Sequence, residues 1–132
     1  MNARPLLALL VEDSVLTAEQ LRELIRSVPF SIDVETIVSE REALDALDDM
    51  QPDIIVLDLK LRQGSGFNVL RKVAALKSKP ATIVLTNYAL PKYRELALLT
   101  GADFFLDKAL DFKSLPGIIE TIAEKRAVPL SS

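Results

Sequence analysis

The sequence predicts an α/β domain: a doubly wound, five-stranded parallel sheet in the order 2-1-3-4-5, with five helices. Three observations predict it. Short apolar runs alternate with helix-period segments along the whole chain. The connections are short, with no internal repeat and no linker. The second run alternates apolar and polar residues, whereas the first and third are apolar throughout, which puts the second at an edge and the others inside. In that order the chain leaves strand 1 toward one side and reaches strand 3 on the other. A crevice then opens between their carboxyl ends.

Leu6 to Val11 is a continuous apolar run, as expected of a strand covered on both faces. Leu21, Leu24, Ile25 and Val28 then fall at i, i+3, i+4 and i+7, an amphipathic helix over 14–28 stopped by Pro29. Residues 32–38 set Ile32, Val34, Thr36 and Val38 against Asp33 and Glu35, a half-exposed edge strand. Ser39 followed by Glu42 is a capping box, opening a helix through Ala43, Leu44 and Leu47 that ends before Pro52.

Ile54 to Leu57 is the third strand. A loop with Gly64 and Gly66 leads to a helix carrying Phe67, Leu70, Val73 and Ala74. Residues 81–86 form the fourth strand. Pro91 suits the first turn of the next helix, which carries Leu96 and Ala97 and stops at Gly101. Residues 103–107 form the fifth strand. The last helix carries Leu115, Ile118, Ile119 and Ile122, with Pro116 tolerated in its first turn. Residues 127–132 read as a loose tail.

Composition removes several kinds of chemistry. The 132 residues suit one domain over 1–132, with no output domain, and can bury a real core. An apolar fraction of 49% with 27% charged residues is that of a soluble globular chain. Sixteen basic against nineteen acidic residues leave a net charge of −3, so no basic surplus points to nucleic acid. No cysteine and no histidine are present, which excludes thiol and imidazole metal sites and every histidine-based catalytic triad. The apolar run after Arg4 is short and ends in two acids, so it is neither a signal peptide nor a membrane span, and a cytoplasmic location is expected.

What remains is carboxylates, hydroxyls and lysines, and they gather at one edge. Strand 1 ends in Glu12 and Asp13, and strand 3 ends in Asp58. Adjacent strands lie about 5 Å apart, so these carboxylates crowd the switch point. Strand 4 ends at Thr86, and Lys108 follows strand 5. Crowded carboxylates suit Mg²⁺, which takes one or two of them, keeps waters and shares its shell with phosphate oxygens. An aspartate nucleophile accepting a phosphoryl group fits all five positions.

With these residues in place the chain resembles the receiver domain of bacterial two-component response regulators, the CheY-like, flavodoxin-like fold. The resemblance covers essentially the whole chain. It rests on "VEDS" for Glu12 and Asp13, "VLDLKL" for Asp58, Gly66 eight residues later, "IVLTN" for Thr86 and "GADFFLDK" for Lys108. The strand order is the family's own, so the two readings are not independent. The resemblance implies that Asp58 is the phosphoacceptor. It implies Mg²⁺ held by Asp13, Asp58 and the backbone carbonyl of Lys60, with Glu12 acting through water.

By the same resemblance Lys108 pairs with the phosphoryl oxygens, while Thr86 and Phe105 form the switch. The implied partners are a histidine kinase or phosphotransfer protein and a downstream effector protein that meets the surface of helix 4, strand 5 and helix 5. No direct contact with nucleic acid or membrane is implied. There are three departures from the family pattern. Ala109 stands where proline follows the lysine, Arg62 where the loop has proline, and Asn87 with Tyr88 where a small residue follows the hydroxyl.

Two other readings, a phosphatase and a flavodoxin-like binder, fit less well. A dehalogenase-type phosphatase wants a second aspartate where Lys60 stands, and a flavin-mononucleotide binder wants a phosphate loop where Glu12 and Asp13 stand. The chain is therefore expected not to be an enzyme beyond its own aspartyl phosphorylation and dephosphorylation. The remaining alternative is a protein-interaction module that keeps the fold and signals without phosphorylation.

Overall fold

A computed structural model describes residues 4–126. The tail expected over 127–132 lies outside the described residues. The elements run β1 (Leu6–Val11), α1 (Val15–Arg26), β2 (Ile32–Ile37), α2 (Glu40–Asp49), β3 (Ile54–Leu57), α3 (Gly66–Ala74), β4 (Ala81–Thr86), α4 (Pro91–Thr100), β5 (Phe104–Asp107) and α5 (Leu115–Arg126). A single 3₁₀ turn, Phe112–Ser114, leads into α5. All strand pairs are parallel, in the order β2-β1-β3-β4-β5. Among the described residues no helix is long and apolar enough to cross a membrane.

The strand alternation sorts the core into two layers. Ala8 and Leu10, Ile54 and Val56, and Ile83 and Leu85 face one side, where α1 and α5 cover them with Leu21, Ile25, Leu115 and Ile119. Leu9 and Val11, Ile55 and Leu57, and Val84 face the other, packed by α2, α3 and α4 through Leu47, Val69, Leu70 and Ala97. At β2 only Ile32 and Val34 are buried while Asp33 and Glu35 are exposed, as an edge strand requires.

Local chemistry sets the helix ends. Ser14 and Ser39 accept from the backbone N–H of Thr17 and Glu42 and so cap α1 and α2. The capping box at α2 is open by one residue, because the Glu42 carboxylate reaches back to Val38 N–H instead of Ser39 N–H. Pro91 opens α4 and Gly101 ends it.

β1, β3 and β5 are each followed by one further ladder bond. Glu12 N–H donates to Ile37 O, Asp58 N–H to Val11 O, and Lys108 N–H to Thr86 O, at 2.9, 3.1 and 2.9 Å. Three functional candidates are thus fixed by the sheet itself and not by loops.

Candidate active-site cleft

Register brings the candidates together. Val11 pairs with Leu57 and Thr86 pairs with Asp107, so Glu12 and Asp58 emerge side by side and Lys108 emerges beyond β4. Continuing the alternation, Glu12, Asp58 and Lys108 share the α1/α5 side, while Thr86 and Phe105 share the other. The Lys108 ammonium accordingly bridges two carboxylates, donating to Asp58 Oδ2 at 2.8 Å and to Glu12 Oε1. All three side chains are nearly sequestered, with 11% of Lys108, 10% of Asp58 and 3% of Glu12 exposed. Burial works against the ammonium charge, but hydrogen bonds and attraction from Asp58 and Glu12 win, holding Lys108 above the ordinary lysine pKa.

Asp13 completes the cleft without joining that triad. Its carboxylate accepts the backbone N–H of Arg62, from the loop after β3. Asp58 Oδ1 accepts Lys60 N–H from the same loop at 3.2 Å. Glu12, Asp13, Ser14, Thr17, Asp58, Lys60, Arg62, Asn87, Tyr88 and Lys108 line one open cleft of about 410 Å³.

The donor set fits a hard cation. Asp13 and Asp58 offer carboxylate oxygens from the ends of two adjacent strands into one cleft open to water, and Lys60 lines the same cleft. Among the described residues no three acidic side chains close into a complete metal cage. Glu12, expected to act through water, is bonded directly to Lys108.

Thr86 and Phe105 lie behind the cleft, outside its lining. Thr86 is fully buried, and its hydroxyl accepts Tyr88 N–H at 3.1 Å, shaping the turn into α4. Phe105 packs inward with 6% of its surface exposed. The Arg94 guanidinium lies 5.9 Å from its ring and donates to its carbonyl.

No cis peptide bond occurs among the described residues, so the bond before Ala109 is trans. The turn is stiffened instead by Asp107, whose carboxylate accepts the N–H groups of Ala109 and Leu110. Sequence reasoning did not reveal Glu40 of α2, which holds the loop after β3 from outside the cleft. An acid in a helix's first turn has a sufficient local explanation, and nothing in the sequence signals its distant partner.

Comparison with known proteins gives a consistent result. Residues 8–120 match the family model described as the response regulator receiver domain. The sensory transduction protein LytT of Enterococcus faecalis is 29% identical over 123 residues, which cover 92% of this chain and 50% of that protein. The chain spans half or less of the length of the first curated relatives it matches. Among solved structures, the receiver domain of sensor histidine kinase PA1611 from Pseudomonas aeruginosa, with magnesium coordinated in its active-site cleft, superposes with a TM-score of 0.78 at 24% identity. That alignment covers 92% of this chain and 99% of the other. A response regulator protein from Burkholderia pseudomallei, with a phosphorylated aspartic acid, calcium and citrate, gives 0.76 at 26% identity over 91% and 69% of the two chains.

Proposed function

Because the chain belongs to the family of response regulator receiver domains, we propose that it accepts a phosphoryl group on Asp58 and signals by the change that follows. The observation that carries this reading is the Lys108 ammonium on Asp58 Oδ2, inside a cleft that also holds Glu12 and Asp13. The ammonium sits against one carboxylate oxygen, and the cleft leaves Asp58 accessible to a donor.

Asp13, Asp58 and the Lys60 carbonyl would hold Mg²⁺, with Glu12 acting on it through water. A bound Mg²⁺ supplies neutralisation of charge developing on the transferred phosphoryl oxygens. The phosphodonor is a phosphohistidine of a histidine kinase or phosphotransfer protein. An Asp58 oxygen attacks its phosphorus, the P–N bond breaks, and the electron pair leaves with the imidazole, which then takes a proton. Lys108, bonded to Asp58 Oδ2, would follow the charge from Asp58 onto the phosphoryl group.

Thr86 would exchange its bond to Tyr88 N–H for one to a phosphoryl oxygen. Its movement would be passed through Phe105 to the surface of α4, β5 and α5, where an effector protein docks. This is a population shift driven by new contacts to a dianion.

The test is direct. The protein is incubated with Mg²⁺ and acetyl phosphate, and the adduct is mapped by mass spectrometry of intact protein and peptides. One phosphoryl group on the peptide containing Asp58, absent from Asp58→Asn and on omission of Mg²⁺, is the expected result. No adduct with acetyl phosphate, and no response to beryllofluoride, would sink the reading in favour of a phosphorylation-independent interaction module.

A further inference from the structure

We propose that Glu40, outside the cleft at the start of α2, is a positioning residue that holds the loop between Asp58 and α3 in the register needed for metal and phosphoryl binding. The inference rests on the reading of Asp58 as phosphoacceptor. It concerns what fixes the backbone groups around Asp58, not what Asp58 does.

The loop is short of ties of its own. Lys60 and Ser65 form an isolated antiparallel bridge, and Gly66 N–H donates to Leu59 O at 2.8 Å. Among the described residues, Glu40 is the α2 side chain that bonds to the loop's outer end. Glu40 Oε1 accepts Ser65 N–H at 2.8 Å and the Asn68 amide at 3.1 Å, and Glu40 N–H donates to Gln63 O at 3.0 Å. These contacts also hold the Glu40 carboxyl below its ordinary pKa, the Ser65 bond contributing most.

The fit is specific at the next residue as well. Gly64 adopts φ +106°, and a Cβ there would lie 2.3 Å from Glu40 Cβ. The helix and the loop are therefore packed backbone against side chain, with no room for a larger residue in between.

The inner end of this loop carries the chemistry. Lys60 N–H reaches Asp58 Oδ1, and Arg62 N–H reaches Asp13. A clamp at residues 63–65 fixes where those groups sit relative to both carboxylates. Releasing it leaves every cleft side chain in place but frees the main chain that orients them, the usual role of groups one layer behind a metal site.

Two variants separate reach from charge. Glu40→Gln keeps an oxygen for Ser65 N–H without the charge. Glu40→Asp keeps the charge, and an acid in the first turn of α2, but is one methylene too short. Mg²⁺ affinity is measured by calorimetry, beryllofluoride binding with Mg²⁺ by ¹⁹F NMR, and folding by thermal melts. Glu40→Gln should stay close to wild type, whereas Glu40→Asp should lose beryllofluoride affinity on the order of tenfold while melting as a folded protein.

Equal affinities in all three proteins would overturn the clamp. So would loss in Glu40→Gln with Glu40→Asp unaffected, since that marks a simple field effect. If wild type bound Mg²⁺ but never beryllofluoride, the phosphoacceptor reading would fall, and the clamp as stated with it.

Discussion

Lys108 donates to Asp58 Oδ2 at 2.8 Å and shares the same ammonium with Glu12, so one cation at the end of β5 bridges carboxylates at the ends of β1 and β3. Replacing it by an apolar residue of similar length, Lys108→Met, strands two buried acids beside each other. Breaking a buried pair in this way costs about 3–5 kcal/mol. The expected loss at neutral pH is at the low end, since the cleft admits water.

Millimolar Mg²⁺ should restore part of that stability, because a cation bound only by the native state raises it by mass action. The gain in melting temperature on adding Mg²⁺ should thus be larger for Lys108→Met than for wild type. An equal or smaller gain would separate the metal site from this pair. The pH dependence has a definite sign. The folded pKa of Lys108 lies above 10.5, so its contribution is complete below that value and is lost as pH rises through the raised one. Wild type and variant should converge in urea stability above pH 10.5.

Gly66 tests the close approach beneath the site. A Cβ there would lie 2.1 Å from Asp58 O and 2.6 Å from Leu59 Cα, and neither backbone atom can yield without moving Asp58. Gly66→Ala should cost about 1–3 kcal/mol or more and lower phosphorylation by acetyl phosphate. Gly117→Ala is the control, since its Cβ meets nothing within 4 Å. Equal stability in both variants would refute the packing argument.

At the opposite end of the sheet the Asp53 carboxylate ties the start of β3 to the stretch entering β1. That carboxylate accepts Leu7 N–H at 2.8 Å and both terminal nitrogens of Arg4 at 2.8 and 2.9 Å. The Arg4 hydrogen bond first, with the Leu7 bond and nearby positive charge, lowers the Asp53 pKa against the effect of burial. A lowered carboxylate pKa contributes stability above the unfolded value that is lost as pH falls through the folded one. Wild type should therefore exceed Asp53→Ala in stability at neutral pH, by about 1–3 kcal/mol for the Leu7 donor left unpaired. The gap should shrink below the ordinary aspartate range. A gap constant from pH 7 to pH 3 would count against this role.

How much was legible in the sequence depended on the range of the interaction. The strands were legible because a strand buried on both faces must be apolar at every position, as Ile54 to Leu57 are. Strand-end residues inherit their place from the sheet, which is why Glu12, Asp13, Asp58 and Lys108 could be expected at one cleft and do line one, whereas Thr86 lies behind it. Partner choice was not legible. That Lys108 takes Glu12 while Asp13 turns to Arg62 N–H follows from side-chain parity and loop path, which are three-dimensional facts. The clamp at Glu40 was hidden for the same reason, since Ser65 lies 25 residues away. The strand boundary at Phe104, one residue later than expected, reflects Asp103 turning back to cap Thr82 N–H.

The last prediction concerns the lifetime of the phosphorylated form. Hydrolysis needs a water in line with the departing Asp58 oxygen. Tyr88 and Lys60 both line the cleft, and the Lys60 ammonium lies 4.7 Å from the centre of the Tyr88 ring. Tyr88 is 45% exposed, so it is not buried in the core, but the lysine holds it at the cleft rim. Asn87 stands beside it in the lining, where an alanine would leave the approach wider. Phosphate loss with Mg²⁺ present should be several-fold faster in Tyr88→Ala than in wild type, and faster in Asn87→Ala as well. Lys60→Ala should act in the same direction as Tyr88→Ala, because it removes the contact that holds the ring. The double variant should then be little faster than either single one, since both disable a single barrier. Identical rates in all the proteins would remove shielding as the explanation and leave the ring a solvent-facing residue at the start of α4.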